Sequence, residues 1–349
     1  MRADLALVGF GHVGRRFASL LGECGDRLRR DYDLDCRIVG IATRRHGALF
    51  SPTGIETSLA IASVAQGLTF ASAGAHRGAS SPALDVIQRL AGSTAPIRIV
   101  IETTTLSIRD GQPAIAHVEA ALDAGCHVVT ANKGPVAFAW RSLQTRADAA
   151  GLSFLFEGVV MDGVPIFNLV RETMPAVAVH GFRGVVNSTT NHILTALEEG
   201  EAFAPALADM QARGIAEADA TLDIEGWDAA AKVAALANVL MGADITPHDV
   251  DRRGIGPGTA VRARAVRSAG RRLRLVAAAR RSGGRVVATV QPTELPADDL
   301  LAGLRGPANA LVFETDLLGE IAVHQLGGDL TMTAYALLSD VITIRRRSR

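Results

Sequence analysis

Acidic residues and a lysine crowd the stretch from Glu217 to Lys232, which reads E-A-D-A-T-L-D-I-E-G-W-D-A-A-A-K. From Trp227 onward the Ala-rich, apolar pattern predicts a helix. Asp228 and Lys232 are four residues apart and so share one face of that helix, and Asp223 lies in the turn before it. Such a group could hold and move a proton. A solvated helix start with one surface ion pair is the alternative interpretation.

Lysine is rare in this chain. The 36 basic residues include only Lys133 and Lys232, so the remaining 34 are arginine (36 − 2). The base composition of the gene most simply explains this bias, which an ordinary surface ion pair would tolerate. A group that must release and regain a proton could not become arginine, because a guanidinium stays charged whereas burial can tune an amine. The two lysines are therefore the candidates for proton chemistry.

Length and composition predict a soluble protein of two domains: 349 residues, 48% apolar and 21% charged. The net charge of +0 disfavours nucleic acid and acidic membranes as partners. Cys24, Cys36 and Cys126 lack C-x-x-C spacing, which favours reduced thiols in the cytoplasm. We expect no signal peptide, and no uncharged run reaches the roughly 18–20 residues that a bilayer requires.

Arginine is concentrated in two places. The run from Arg252 to Arg285 is interpreted as the exposed face of an amphipathic helix centred on V-R-A-R-A-V-R-S-A-G-R-R-L-R-L-V, rather than as a nucleic-acid-binding surface. The arginines between 345 and 349 are interpreted as a solvated tail.

A glycine-rich turn follows the first apolar strand. The run L-A-L-V-G-F-G-H-V-G places Gly9, Gly11 and Gly14 in G-x-G-x-x-G spacing before a predicted helix. In dinucleotide-binding folds the first glycine permits a tight turn, the second lets the backbone approach a pyrophosphate, and the third lets the helix pack on the strand. The motif alone is weak, but its strand-to-helix context favours dinucleotide binding, with His12 and Val13 completing the turn.

The second predicted strand, Asp35–Ala42, ends without the carboxylate that would bind a ribose 2′-hydroxyl in an NAD site. Arg44 and Arg45 follow it, and two guanidiniums suit the 2′-phosphate of NADP. The sequence therefore favours NADP. NAD remains possible if these arginines are ordinary loop cations.

Polar residues end the next two predicted strands. Thr103 and Thr104 follow one strand, and Thr130 ends the other, which runs into Asn132 and Lys133. Because open parallel sheets bind ligands at the carboxyl ends of their strands, these residues are candidates for the cofactor cleft. They could equally cap the following turns or make loop contacts.

After Gly151 the pattern changes to that of an α+β domain. The small polar run N-S-T-T-N from Asn187 precedes a predicted helix, His192–Gly200, where it could cap the helix and present Thr190 and Asn191 to a polar substrate. We expect further strands at 181–186, 285–290, 310–315 and 320–324, and helices at 166–173 and 331–338.

In combination these motifs resemble the homoserine dehydrogenase family over essentially the whole chain. The matching runs are 9–14, V-T-A-N-K at 129–133, M-D-G-V-P at 161–165, N-S-T-T-N-H-I-L at 187–194, 214–232 and 247–255. The resemblance implies a short family member without a regulatory or aspartate kinase domain. It implies an α/β fold with a Rossmann-type doubly wound parallel sheet over 1–150 plus 326–349, and an α+β catalytic and dimerisation domain over 151–325.

By resemblance, the protein is a cytoplasmic homodimer that reduces L-aspartate 4-semialdehyde reversibly to L-homoserine with NAD(P)H, in threonine and methionine synthesis. Lys232 would be the general acid, and Lys133 would contact the cofactor and the reacting oxygen. Glu217, Asp223 and Asp228 would hold the substrate. The family also implies cofactor contacts at Gly214 and Gly327, and a monovalent cation such as sodium at Glu157, Val160, Asp162 and Val164.

Some residues depart from the family pattern. Ser188 stands where the family usually has glycine, Ala220 where it usually has proline, and Asp329 and Leu330 where small residues are usual. An acid near the nicotinamide could alter cofactor affinity. Two other functions are compatible with the same frame: a reductase of another small amino-acid aldehyde, and a catalytically inactive NADP-binding sensor. Retention of both lysines and of the three acids argues against the sensor.

Overall fold

The computed structural model of the chain describes residues 1–70, 81–212 and 219–348. The chain forms two compact units, Met1–Pro165 with Asp329–Arg349, and Ile166–Gly328. The divisions fall after Pro165 and Gly328 rather than near residues 150 and 325. The first division is later than expected because the short strand Phe154–Leu155 still pairs within the sheet of the first unit.

Strands and helices alternate through the first half of the chain. The strands are β1 (Arg2–Val8), β2 (Asp35–Thr43), β3 (Gly47–Phe50), β4 (Ile97–Glu102), β5 (His127–Thr130), β6 (Phe154–Leu155), β7 (Val179–Val185), β8 (Asp251–Arg252), β9 (Arg272–Ser282), β10 (Arg285–Leu295), β11 (Asn309–Thr315) and β12 (Gly319–Gln325). The α-helices are α1 (His12–Tyr32), α2 (Thr57–Ala65), α3 (Pro82–Ala91), α4 (Ala114–Asp123), α5 (Lys133–Ala149), α6 (Ser188–Glu198), α7 (Phe203–Ala212), α8 (Thr221–Ile224), α9 (Trp227–Met241), α10 (Thr259–Ser268) and α11 (Leu330–Arg347).

A six-stranded sheet in the order β3-β2-β1-β4-β5-β6 forms the centre of the first unit. All neighbours run parallel except β3, which pairs antiparallel with β2. Leu5, Ala6 and Leu7 are all 0% exposed. Because successive strand residues point to opposite faces, both faces of the sheet are covered. The predicted Rossmann-type fold is confirmed. Its strand order reverses between β1 and β4, which is where such sheets bind ligands.

The C-terminal helix α11 packs on α1 within the first unit. It is longer than the predicted 331–338 because its apolar spacing continues through Val341 and Ile344, which are fully buried. Arg345 therefore lies on a packed helix, with its Nη2 2.9 Å from Asp33 Oδ2. The interpretation of the C-terminal arginines as a solvated tail is wrong for Arg345, which is 7% exposed.

The second unit is built on a sheet in the order β12-β11-β7-β9-β10-β8, antiparallel except where β8 pairs parallel with β10. Helix α9 contacts β7, β9 and β10. Its alanines from Ala229 to Ala237 are buried, because small side chains let a helix approach a sheet closely. The predicted helix from Trp227 is thus present. The helix predicted at 166–173 appears as a π-helical turn, Leu169–Thr173.

The sequence suggested that the arginine-rich run is one amphipathic helix, but the structure divides it between a helix and a strand. Helix α10 ends at Ser268, Gly270 follows with φ of +73°, and the chain then continues as strand β9. Arg274 on this strand is 1% exposed. The prediction of an exposed arginine face is wrong for Arg274 because α6 covers it: its Nη1 bonds to Glu198 on that helix, and its Nη2 bonds to Ala302 O.

Helix α6 begins at Ser188, four residues before the predicted start at His192 (192 − 188). Asn187 is its N-cap, and its Oδ1 accepts a hydrogen bond of 2.9 Å from the backbone N–H of Thr190. The small polar run therefore forms the first turn of the helix. Across residues 1–70, 81–212 and 219–348, none of the helices has both the length and the apolar character that crossing a membrane would take.

Candidate active site

The glycine turn lies at the carboxyl end of β1, directly against the end of β4. Gly9 has φ of +96°, and a Cβ there would lie 2.6 Å from the carbonyl carbon of Thr103. A Cβ on Gly14 would lie 2.7 Å from the oxygen of Gly9. Gly11 has nothing within 4 Å of its Cβ position, so a ligand can approach the backbone there. These contacts fit a dinucleotide, because the first and third glycines serve packing and the second is open.

Thr103 directly follows β4 and bonds the end of that strand to the glycine turn. Its backbone N–H donates to Val8 O at 2.8 Å, and its Oγ1 donates to Gly9 O at 2.9 Å. His12 and Val13 begin helix α1, whose N-terminus follows the turn. The predicted cofactor residues Gly9, Gly11, Gly14, His12, Val13 and Thr103 thus occur together at one edge of the sheet.

The other predicted cofactor residues of this edge form a hydrogen-bond network. Asn132 donates through Nδ2 to Thr104 O at 3.0 Å and through its backbone N–H to Thr130 Oγ1 at 2.9 Å. Thr130 Oγ1 lies 3.0 Å from the main-chain oxygen and 3.1 Å from Oε2 of Glu102, and its single proton is shared between these two acceptors. Lys133 is the first residue of α5 and is partly buried. Sequence reasoning missed Glu102, although a carboxylate that ends the apolar run I-R-I-V-I-E was a usable signal.

Arg44 and Arg45 are exposed and follow the end of β2. Gly9 N–H donates to Ala42 O at 2.9 Å, so the end of β2 lies beside the glycine turn. The arginines are therefore attached to the sheet edge where a dinucleotide would bind. This position suits the ribose end of the nucleotide, since the acid or cation that selects NAD or NADP follows the second strand in this fold.

The loop predicted to hold a cation is tightly folded inside the first unit. Glu157 is 3% exposed, and its N–H donates to Asp340 Oδ2 at 2.8 Å. Asp162 adopts φ of 49° and accepts a 3.0 Å bond from Thr333 Oγ1. Val164 N–H donates to the oxygen of Met161 at 2.9 Å. Main-chain oxygens are among the ligands that hard cations take, so this loop carries the type of atom that the predicted site requires.

In the second unit the acids and Lys232 meet as the sequence suggested. Asp228 Oδ2 is 3.1 Å from Lys232 Nζ, and Nζ also donates to Val186 O at 2.6 Å. Asn187 Nδ2 donates to Asp223 Oδ1 at 2.7 Å and to Asp228 Oδ2 at 3.0 Å. One amide therefore bridges both carboxylates, and the lysine is held at the end of β7. The side chains of Lys232 and Asp228 are 13% and 16% exposed, so this is not a surface ion pair.

Asn187 was not among the predicted site residues, although it belongs to the small polar run. It was missed because its role depends on two acids that lie 36 and 41 residues away. Thr190 and Asn191, which were predicted to bind substrate, make protein contacts in the structure. Thr190 Oγ1 bonds to Asn187, and Asn191 Nδ2 donates to Gly306 O and Ala308 O at 3.0 Å each. Substrate binding by these two residues stays a prediction.

A cluster of packed side chains holds the turn that carries Asp223. The guanidinium of Arg252 lies 3.7 Å from the ring centroid of Trp227, and the His248 ring meets the same indole edge-on at 5.4 Å. Arg252 Nη1 also donates to the oxygen of Glu225. A Cβ on Gly254 would overlap the Ile224 oxygen and lie 2.6 Å from Glu225 Cα. The backbone at Gly254 thus packs directly against the 224–225 segment and leaves no room for a side chain at position 254.

Several predicted residues cannot be placed relative to these groups. Gly214 and Glu217 lie outside the described residues. Gly327 precedes α11 and is exposed, with open space at its Cβ position. Lys133 belongs to the first unit and Lys232 to the second, so their approach across one cleft stays a prediction.

Comparison with known proteins bears on both units. The family model described as "Homoserine dehydrogenase, NAD binding domain" matches residues 9–157, and the model described as "Homoserine dehydrogenase" matches residues 165–342. An NAD(+)-dependent homoserine dehydrogenase of Pseudomonas canavaninivorans is 36% identical over 98% of this chain and 96% of its own length. A homoserine dehydrogenase of Methanocaldococcus jannaschii is 35% identical over 98% of both chains.

A solved structure of a homoserine dehydrogenase also has a similar fold. The crystal structure of a homoserine dehydrogenase from Thiobacillus denitrificans matches with a TM-score of 0.81 and 28% sequence identity. The match covers 99% of this chain and 74% of that one.

Proposed function

Since the chain belongs to the homoserine dehydrogenase family, we propose that it reduces L-aspartate 4-semialdehyde reversibly to L-homoserine with a nicotinamide nucleotide, in threonine and methionine synthesis. One observation carries the proposal for this chain's own residues. Lys232, one of only two lysines, is held between Asp228 Oδ2 at 3.1 Å and Val186 O at 2.6 Å, and the amide of Asn187 links Asp228 to the carboxylate of Asp223.

The residues suit the reaction's electrostatics. The nicotinamide nucleotide, held by the glycine turn and the ends of β1 and β4, supplies the hydride when bound. As the aldehyde carbon accepts that hydride, negative charge grows on the oxygen, and an ammonium within hydrogen-bond reach stabilises it. Lys232 then donates its proton to complete the hydroxyl. Asp223 and Asp228 attract the substrate's α-ammonium, and Lys133 acts on the cofactor and the same oxygen.

The direct test follows oxidation of the reduced nucleotide with aspartate 4-semialdehyde, and its reduction with homoserine. We expect turnover with both substrates. A panel of other small amino-acid aldehydes separates this activity from that of a related reductase, which would prefer another member of the panel. Binding of nucleotide without turnover of any aldehyde would instead identify a sensor.

For the nucleotide we propose a preference for NADP, supported by Arg44 and Arg45 at the end of β2. The Pseudomonas relative is named as NAD(+)-dependent, so the nucleotide preference of this chain has to be measured directly. We expect Arg44→Ala to raise the KM for NADP about 10- to 100-fold and to leave that for NAD nearly unchanged, since a charge-assisted bond contributes about 1.5–3 kcal/mol. Steady-state kinetics with both nucleotides measures this. Arg30→Ala, an exposed arginine on α1, is the control, and equal effects on both nucleotides would refute the assignment.

We also propose that the 157–164 loop binds a monovalent cation such as sodium through main-chain oxygens of Glu157, Val160, Asp162 and Val164. Bound ligand stabilises the native state by RT ln(1 + [L]/Kd), about 1.4 kcal/mol at a tenfold excess over Kd. We expect the midpoint of thermal unfolding to be higher in sodium chloride than in tetramethylammonium chloride at equal ionic strength. Asp162→Ala should reduce the difference, because it removes the bond to Thr333 Oγ1 that holds this main chain at φ of 49°. Equal midpoints for the wild type would contradict the site.

A homodimer is the proposed assembly, and a reducing, cytoplasmic setting suits the three unpaired cysteines. Support for the dimer comes from the second unit, where β12 is an edge strand and Leu317 and Leu318 before it are 67% and 53% exposed. Light scattering should give twice the chain mass, and a single chain mass would oppose the proposal.

A further inference from the structure

Glu102 is a fully buried carboxylate, 0% exposed, at the carboxyl end of β4. Burial of such a group is costly unless it is bonded on several sides. The proposed chemistry gives it no step, so its bonds must explain its presence.

Its first bonds go to the two loops that end β4 and β5. Oε1 accepts a 3.1 Å bond from the backbone N–H of Thr104 and another from the Thr104 hydroxyl. Oε2 accepts a 3.1 Å bond from Thr130 Oγ1. One carboxylate therefore ties together two strand ends that neighbour each other in the sheet.

Both of these threonines hold Asn132. Asn132 Nδ2 donates to Thr104 O at 3.0 Å, and its backbone N–H donates to Thr130 Oγ1 at 2.9 Å. Asn132 Oδ1 in turn accepts a 2.9 Å bond from Gly134 N–H and so caps α5, the helix that Lys133 begins. A chain of hydrogen bonds thus runs from Glu102 through both threonines to the residue on each side of Lys133.

We propose that Glu102 is a positioning residue for Lys133: it fixes the main chain from which the lysine extends toward cofactor and substrate. This inference rests on the proposed function. The role is one of geometry, because a displacement of about 1 Å at a reacting group can cost on the order of 100-fold in rate. A proton relay is the rival role, since His117 Nδ1 lies 3.6 Å from Glu102 Oε1.

Glutamine and leucine at position 102 separate these roles. In Glu102→Gln the amide oxygen can still accept from Thr104, and Nε2 can donate to Thr130 Oγ1, whose single proton then goes to the main-chain oxygen of residue 102 alone. The network survives without the charge. Glu102→Leu keeps the volume and removes the bonds. We expect Glu102→Gln to retain kcat near the wild-type value, and Glu102→Leu to lower it about 10- to 100-fold, with a smaller change in nucleotide Kd because the same threonines and Asn132 border the proposed cofactor site.

A primary deuterium isotope effect on kcat, measured with nucleotide deuterated at the transferred position, provides a second readout. It should rise in Glu102→Leu, because a misplaced lysine slows the chemical step, and stay unchanged in Glu102→Gln. Thr130→Val is an isosteric change that breaks the same chain of hydrogen bonds at the next residue. It should show the same fall in kcat and the same rise in isotope effect, and it provides the test if Glu102→Leu does not fold. Asp123→Asn, which removes an exposed ion pair with Arg146, is the control.

Equal losses in Glu102→Gln and Glu102→Leu would overturn the proposal in favour of a role for the charge. Wild-type kcat and isotope effect in Glu102→Leu or Thr130→Val would overturn it as well. Absence of homoserine turnover in the wild-type protein would refute the proposed function instead, before any variant is compared.

Discussion

Replacing Lys232 with alanine should lower kcat roughly 10²–10⁴-fold while nucleotide binding is retained, because a general acid contributes about that much to a reaction. The amine sits 3.1 Å from Asp228 and 2.6 Å from Val186 O in the second unit, whereas the glycine turn belongs to the first and is bonded to Thr103. Stopped-flow and steady-state assays of nucleotide oxidation measure kcat, and nucleotide fluorescence measures Kd.

Lys232→Arg separates charge from proton transfer. The guanidinium keeps a positive charge and hydrogen-bond donors but does not release a proton at physiological pH. We therefore expect the arginine variant to bind substrate and still turn over slowly. Asp219→Asn is the control and should keep a near-normal rate. Asp219 belongs to the same acidic stretch, but it is exposed and accepts a hydrogen bond from Thr221 N–H. Near-normal rates in Lys232→Ala would remove this residue from the mechanism.

Glu198→Leu should destabilise the protein by about 3–5 kcal/mol, the cost of leaving the partner of a buried ion pair alone. Glu198 Oε1 is 2.9 Å from Arg274 Nη1, and the side chains are 4% and 1% exposed. The buried position of Arg274 lowers its pKa, an effect that Glu198 opposes. Without Glu198 a desolvated guanidinium would keep only the main-chain oxygens of Leu273 and Ala302 as acceptors within this network.

The double variant Glu198→Leu with Arg274→Met should recover part of that loss, because an apolar pair of similar volume can replace a buried ion pair. The rest remains, since the buried Leu273 N–H still loses its 2.8 Å bond to Glu198 Oε1. Urea unfolding at neutral pH measures both free energies. Glu294→Gln provides the comparison: its pair with Arg262 is about 40% exposed on both sides and should contribute less than about 1 kcal/mol. A loss in Glu198→Leu no larger than in Glu294→Gln would contradict the expected cost.

The parts of the molecule that local sequence determines could be predicted. Helix α9 follows from an unbroken Ala-rich pattern between Gly226 and Gly242, both of which adopt left-handed backbone. The turn at Gly9 follows from the glycine spacing together with the apolar strand before it and the helix after it. For the same reason the Asp228–Lys232 pair was found, since a four-residue separation on a helix fixes which side chains meet.

Features that depend on distant partners could not be predicted. Arg274 seemed part of a solvated face because its partner Glu198 is 76 residues away, and Arg345 seemed part of a tail because Asp33 is 312 residues away. Glu102 reaches Thr130 across 28 residues. An isolated charge in sequence carries no sign of which distant residue will supply its hydrogen bonds, so solvent was the default expectation for the two arginines and Glu102 was given no role.

The contact at Gly254 limits how this chain can diverge. Every other amino acid would bring a Cβ onto the Ile224 carbonyl, and the strain would pass to the turn that bears Asp223. Variation at this position could persist in a lineage only alongside compensating changes in the 221–226 segment. A saturation library screened for nucleotide reduction with homoserine should therefore tolerate substitutions at Gly254 as poorly as substitutions at Asp228 or Lys232.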